Sequence, residues 1–439
     1  MADPFFGDLQ ARTFRFFWET TDPANGLAPD RWPSAPFASI AAVGFALTAY
    51  PIGVERGWVP RAAARARVLA TLRFFAGGAE GEGAAGHKGF FYHFLDMKSG
   101  RRFEDIELST IDTALLLAGM LFCQSYFDGA DGEETKIRAL AETIYGRVDW
   151  RWAQPAASGG AITMGWKPES GFLAYDWRGY NEAMIVYLLA LGSPTHPAAP
   201  DAWIAWQRDF DETWGLNDGR EPHLGFAPMF GHQYSHAWID FRGIRDAYMR
   251  RRDLDYFENS RRATHAQRAY AIANPCGWKG YGDDIWGLTA CDGPGDISHL
   301  YRGRMRRFHG YDARGPGARD DGTIAPTAAL GSIAFAPEIC VPAALALKRD
   351  HGRRILGDYG FRDAFNPSFD FADVRSRAGT VIPGAGWVAA DWLGIDQGPI
   401  LAMVENWRSG LIWKTMRGNP HIRRGLKRAG FTGGWLEGA

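Results

Sequence analysis

Glu107-Leu-Ser-Thr-Ile-Asp112-Thr-Ala-Leu-Leu-Leu-Ala-Gly-Met-Leu-Phe-Cys123 opens on polar residues and then runs apolar on every side. A helix that is apolar all round has to be buried in a large core. Ser109 is a capping type, and a carboxylate such as Asp112 in the first turn is favoured by the helix dipole. The stretch therefore predicts a buried helix over Thr110–Phe127 with an acid at its mouth. That acid either points into an interior where a cleft opens or serves only the dipole, and the spacing leaves both open.

The same arrangement recurs further along. In Gly171-Phe-Leu-Ala-Tyr-Asp-Trp177-Arg-Gly-Tyr180-Asn-Glu182 an acid precedes the apolar run Ala183–Leu191. In Gly394-Ile-Asp396-Gln397-Gly-Pro-Ile-Leu another acid opens the last long helix. One acidic helix mouth is ordinary, whereas three read as a ring of carboxylates. Carboxyl groups walled by aromatic side chains are pushed up because desolvation disfavours the anion, which is what a general acid needs. A plain capping role for Glu182 remains the alternative.

Outward from these segments, 3.6-residue periodicity predicts about twelve helices and few strands. They are expected over Phe5–Glu19, Ser39–Tyr50, Pro60–Phe75, Thr110–Phe127, Glu133–Arg147 and Tyr180–Leu191. The second half adds Asp201–Phe210, Asp240–Arg250, Asp255–Ala273, Thr327–Phe335, Glu338–His351 and Gly398–Arg417. Long loops at Gly77–Phe90, Ala153–Gly179, Gly215–Ser235, Asn274–Thr323 and Phe361–Asp396 join them, and loops of such length are usually functional. The expected fold is all-α, an (α/α)6 toroid of six helical hairpins whose Gly- and Trp-rich loops form the substrate cleft. No linker or charge shift divides the chain, so residues 1–439 are expected to form one catalytic domain.

Composition narrows the function. Lys and Arg number 49 against 50 Asp and Glu, a net charge of −1, which lacks the basic face that phosphate backbones demand. The 18 Trp and 54 Gly fit shaped loops with flat apolar surfaces. Cys123, Cys276, Cys291 and Cys340 have no zinc-like spacing, and a disulfide between two of them cannot be deduced. The longest apolar stretch falls short of the ~18 residues a membrane span needs. Met1-Ala-Asp-Pro-Phe5 has neither the basic nor the apolar part of a secretion signal. A trimmed leader would make the protein periplasmic or secreted; otherwise it is expected in the cytoplasm.

Two further clusters concern binding. In Met229-Phe-Gly-His232-Gln-Tyr-Ser-His236-Ala-Trp-Ile-Asp240-Phe-Arg242, two His lie four apart, a metal-ligand spacing if helical. The surrounding Gly and Gln-Tyr-Ser read as loop, so a polar surface donating to hydroxyls is expected instead, with no metal and no cofactor. Asp240 and Arg242 read as an ion pair. In Cys276-Gly-Trp278-Lys-Gly-Tyr281-Gly-Asp-Asp-Ile-Trp286, indole faces beside glycines would suit sugar rings. No phosphate-binding loop is present.

These motifs resemble the bacterial glucoamylase-like family of glycoside hydrolases, which contains endo-β-1,2-glucanases and relatives that release sophorose. The blocks are Glu107 to Gly119, Tyr180-Asn-Glu182, Phe230 to Arg242, Trp286-Gly-Leu-Thr-Ala, Asp321 to Ala329, Asp363-Ala-Phe-Asn and Ile395-Asp-Gln-Gly-Pro, in order along nearly the whole chain. The resemblance implies an (α/α)6 barrel, β-1,2-glucan as substrate and inversion at the anomeric carbon. It implies Glu182 as proton donor and Asp396 as the group that positions or activates water, with Asp112 in reserve. Substrate contacts are then expected from Glu107, Trp177, Tyr180, His232, His236, Arg242, Trp278, Trp286, Asp292 and Gln397. The expected partner is a glucan or gluco-oligosaccharide met by a monomer, without nucleic acid or membrane.

Where the family reads Ser-Asp-Gly-Pro this chain has Cys291-Asp-Gly-Pro, followed by a basic run at Arg302, Arg304, Arg306 and Arg307. The run is expected to be a solvated loop, although an anionic substituent on the glucan would suit it. Alternative readings are a transglycosylase or epimerase built on the same toroid, and a carbohydrate-binding protein without catalysis.

Overall fold

The structure, a computed structural model, describes residues 3–77, 85–215, 221–371 and 373–437. Parts of the expected loops at 77–90 and 215–235 lie outside the described residues.

The fold is mostly helical, and its helices divide by burial. Ile40–Glu55 is buried from Ile40 through Gly53, Met184–Gly192 is buried throughout, and Thr110–Tyr126 and Gly394–Arg408 are buried over most of their length. These helices pack on one another and form the interior. Arg61–Gly77, Gly132–Gly146 and Tyr256–Ala273 bury one side each and lie outside them. The pattern follows from sequence, because only the first group lacks a polar stripe.

The two inner helices Ile40–Glu55 and Thr110–Tyr126 touch backbone to backbone. A Cβ on Gly44 would stand 2.3 Å from the Leu115 carbonyl oxygen, and one on Gly119 would stand 2.1 Å from that of Gly44. No larger residue fits between them.

Short antiparallel ladders fix the chain just before three of the four inner helices. Ala38–Ser39 pairs with Phe94–Leu95, Leu108–Ser109 with Gly165–Lys167, and Arg31–Trp32 with Trp392–Leu393. Each ladder ends where a helix begins, so the loops are stitched over the N-terminal ends of the helices. Ser39 and Ser109 then cap, accepting from Ala42 N and Asp112 N as expected.

Several expected boundaries are corrected. Phe230–Trp238, read as loop, is a helix, with Gly231 seated against the Phe226 ring. The helix expected from Tyr180 starts at Met184, because the Asn181 side chain accepts from Ala183 N and Ser235 Oγ accepts from Ile185 N. Only Ala247–Arg251 of the expected Asp240–Arg250 is helical. The last long helix divides into Gly394–Arg408 and Leu411–Met416 at Gly410, which adopts φ +69°, and a further helix, Pro420–Arg428, follows. The basic run is a β-hairpin, Ile297–Tyr301 against Arg304–Phe308. All four cysteines are free thiols. No helix of the described residues is long and apolar enough to cross a membrane.

Candidate active site

Three carboxyl groups named from the sequence meet at the mouths of the buried helices. Asp112 lies in the first turn of its helix, 4 % exposed, with Ser109 Oγ donating to it. Glu182 sits in the turn preceding Met184, where Ser235 Oγ donates to its backbone carbonyl at 3.1 Å. The residue is half-buried with its Oε2 inside, and desolvation, helped by the charge of Asp112, pushes the carboxyl from 4.5 to about 7. Its Oε2 has no hydrogen-bond partner. With that value the carboxyl is about half protonated at neutral pH.

Asp396, in the first turn of Gly394–Arg408, is buried beside the carboxyl of Asp363, and neither Asp396 Oδ2 nor Asp363 Oδ1 has a hydrogen-bond partner. Burial and the neighbouring charge of Asp363 hold Asp396 well above the usual carboxylate range. Two acids so close share one proton and one negative charge. Asp363 also accepts from Asp292 N at 2.7 Å, and Thr327 Oγ1 donates to the Asp396 carbonyl at 3.0 Å. The pair is thus gripped from both sides.

Burial first, and then the charges of Asp396, Tyr311, Glu182 and Asp112, oppose the ionisation of the Tyr234 phenol. His93 bridges the remaining acids, with Nδ1 2.9 Å from Glu107 and Nε2 3.5 Å from Asp112. Burial pulls its pKa down, but Asp112 and Glu107 outweigh that and hold it at about 9. Arg31 ties Asp292 at 2.9 Å and Asp30 at 3.1 Å. Tyr311 is exposed as a residue, while desolvation of its phenol and then the charges of Asp396, Asp363 and Asp30 push its pKa up.

The expected aromatic platforms are corrected. Trp286 is fully buried, Tyr180 and Trp278 are 3 % exposed and Trp177 is 6 % exposed, so none offers an open face. Trp177 donates to Thr110 Oγ1, Tyr180 stacks on Tyr256, and Trp278 lies beneath Tyr301 and Arg306. The accessible aromatic surface is a different one. Phe37, Phe94 and Phe103 line a cavity of about 300 Å³ together with Glu104, Asp105 and Ile106, and His93 stacks on Phe94.

Two His and one Arg are also relocated. His232 and His236 share one face of Phe230–Trp238, yet both are interior. His232 Nε2 lies 3.1 Å from the Phe226 carbonyl and His236 Nε2 3.1 Å from Ser260 Oγ, and burial drops both to about 3. Among the described residues no group of three or more His, Cys, Asp or Glu is placed to hold a metal ion. Arg242 pairs with Asp240 at 2.7 Å and stacks on Trp413, beyond the C-terminal end of that helix and away from the carboxyl groups. Gln397 is buried beside Asp396 and donates to the Phe361 carbonyl at 2.8 Å.

Sequence reading missed Asp363, Asp30, Arg31, His93, Tyr234 and Tyr311 as members of the site. Asp363 and Tyr234 lay inside quoted motifs.

A half-buried carboxyl raised to about 7 and a buried carboxyl pair thus stand at helix mouths of a mostly helical chain. The sequence profile of the Glycoamylase family, described as "Putative glucoamylase", matches residues 174–420, more than half of the chain. A putative glucoamylase structure from Bacteroides uniformis is 33% identical, with a TM-score of 0.84 over 98% of each chain. An endo-β-1,2-glucanase from Chitinophaga pinensis, solved with sophorotriose and glucose, is 28% identical, with a TM-score of 0.83 over 99% of each chain. An exo-β-1,2-glucooligosaccharide sophorohydrolase of Parabacteroides distasonis is 27% identical over 96% of this chain, which spans 57% of that protein. The chain belongs to the Glycoamylase family.

Proposed function

We propose that this protein is a glycoside hydrolase that cleaves β-1,2-glucan with inversion, in a single domain built as an (α/α)6 toroid. The observation that carries the reading is Glu182: a carboxyl raised by desolvation to about 7, with a free oxygen beside Asp112. Glu182 protonates the leaving glycosidic oxygen, and the Asp396–Asp363 pair positions and activates water on the opposite side of the sugar. Asp112, held by Ser109 and His93, keeps negative charge near the oxocarbenium-like transition state. Phe37, Phe94 and Phe103 give a sugar ring an apolar face, and Glu107 and Asp292 accept from its hydroxyls. The β-1,2 linkage is supported by the names of the relatives, one an endo-β-1,2-glucanase and one a sophorohydrolase.

The test is Glu182→Gln, which keeps the shape and removes the proton. Reducing-end release should drop by about 10²–10⁴-fold, the usual worth of a general acid, with the circular dichroism spectrum unchanged. Activity within tenfold of wild type would sink the assignment.

A further inference from the structure

The hairpin Ile297–Phe308 grows out of the site itself. Asp292, whose N–H donates to Asp363 and whose carboxylate pairs with Arg31, precedes it, and Tyr311 follows it. Ala290–Cys291 and Asp312–Ala313 pair to close its root. At roughly 3.3 Å per residue its five-residue strands carry the turn about 17 Å from that root. The turn residues Arg302 and Gly303 have φ of 49° and 75°, the two positive values of a tight hairpin turn, so the strands are held in one register.

One face is anchored. Tyr301 packs on Trp278, Arg306 stacks over the same indole and donates to the Cys276 carbonyl, and Phe308 is buried. The rest is exposed: Arg302 lies in the turn, Arg304 opposes Tyr301, Arg307 shares the other face with the exposed Leu300 and Met305, and Arg377, whose N–H donates to the Pro294 carbonyl, stands at the root, with Arg375 exposed two residues before it. Arg307 has only a distant carboxylate, Asp296 at 4.0 Å, and Arg302, Arg304, Arg375 and Arg377 make no ion pair among the described residues. Charge on an exposed strand edge discourages pairing between molecules, but either sign would do that. Asp296 and Asp373, the latter 3.8 Å from His299, are the carboxylates near the hairpin, and the five exposed arginines outnumber them.

We propose that this hairpin binds anionic substituents of the glucan, dicarboxylic half-esters or phosphate monoesters, while the chain occupies the site. The proposal rests on the glucan-hydrolase reading and names the substrate class more closely. Guanidinium groups suit both anions through paired N–H donors.

The experiment compares three linear β-1,2-glucans: unmodified, esterified with succinate half-esters, and esterified to the same extent with neutral methyl succinate. In low salt the wild-type KM for the half-ester should be about fivefold below that for its neutral control, the scale of two exposed ion pairs. Arg302→Gln, Arg304→Gln and Arg307→Gln together should abolish the difference, leaving turnover of the unmodified glucan unchanged; lysine at the three positions should restore most of it. A phosphate-monoester glucan serves as a further arm that tells phosphate from carboxylate preference. Equal KM for half-ester and neutral ester, with unmodified glucan cleaved, overturns this inference alone. Failure to cleave any of them overturns the hydrolase reading and this inference with it.

Discussion

A carboxylic acid that works near neutral pH has to be kept from ionising, and in Glu182 burial does it. This fixes two pH dependences. The protonated form is lost above about pH 7, so kcat/KM should fall about tenfold per pH unit beyond it. Stability moves the same way. Folded Glu182 holds its proton more tightly than the unfolded side chain, whose value is near 4.5, so its contribution is full below 4.5 and is lost as pH rises through about 7. Wild type should therefore lose on the order of 1–3 kcal/mol across that window, and Glu182→Gln should lose none of it. Urea unfolding of both proteins at pH 5 and pH 8 checks this; parallel changes would show that Glu182 is not the group. Glu182, Asp112 and Asp396 were legible in the sequence because an acid before an apolar run is a local pattern. Trp286 and His236 were misjudged because sequence gives residue type but not exposure. His93 and Arg31 went unseen because their acidic partners are contributed by other parts of the chain.

At the scale of elements, the site is only as firm as the contact between the helices that carry it. Gly119→Ala should force Ile40–Glu55 and Thr110–Tyr126 apart, since the added Cβ meets the Gly44 carbonyl oxygen at 2.1 Å. Thermal unfolding should report a loss of about 1–3 kcal/mol, the cost of overpacking, and the displaced Asp112 should reduce kcat as well. Gly132→Ala, where a Cβ meets nothing within 4 Å, serves as the matched control and should cost nothing. An equal loss in both would remove the close approach as the cause. The buried helices were readable because apolar residues fill whole turns. The helix Phe230–Trp238 was not, because Gly231 and four polar or ionisable side chains mask its period, and each finds its partner only in the folded chain. The ladders over the helix mouths are mostly two residues long and leave no alternation to detect.

Over the whole molecule, inversion requires that acid and water-activating pair act from opposite faces of one sugar. The first product released from a β-linked glucan should then be the α-anomer, read by proton NMR in the first minutes before mutarotation; initial β-anomer would demand a covalent intermediate and a shorter carboxyl spacing, about 5–5.5 Å. The number and order of helices made a ring the natural reading of the sequence, whereas the shape of the cleft depends on loops whose ladders and hairpin only the structure displays. The central claim is the linkage, and the most direct measurement is a time course of the wild-type protein on linear β-1,2-glucan with products resolved by size. The account predicts shortened β-1,2-oligosaccharides or sophorose accumulating with time, and none from a β-1,3-glucan treated identically. An intact β-1,2-glucan after prolonged incubation, with the protein folded, would contradict it.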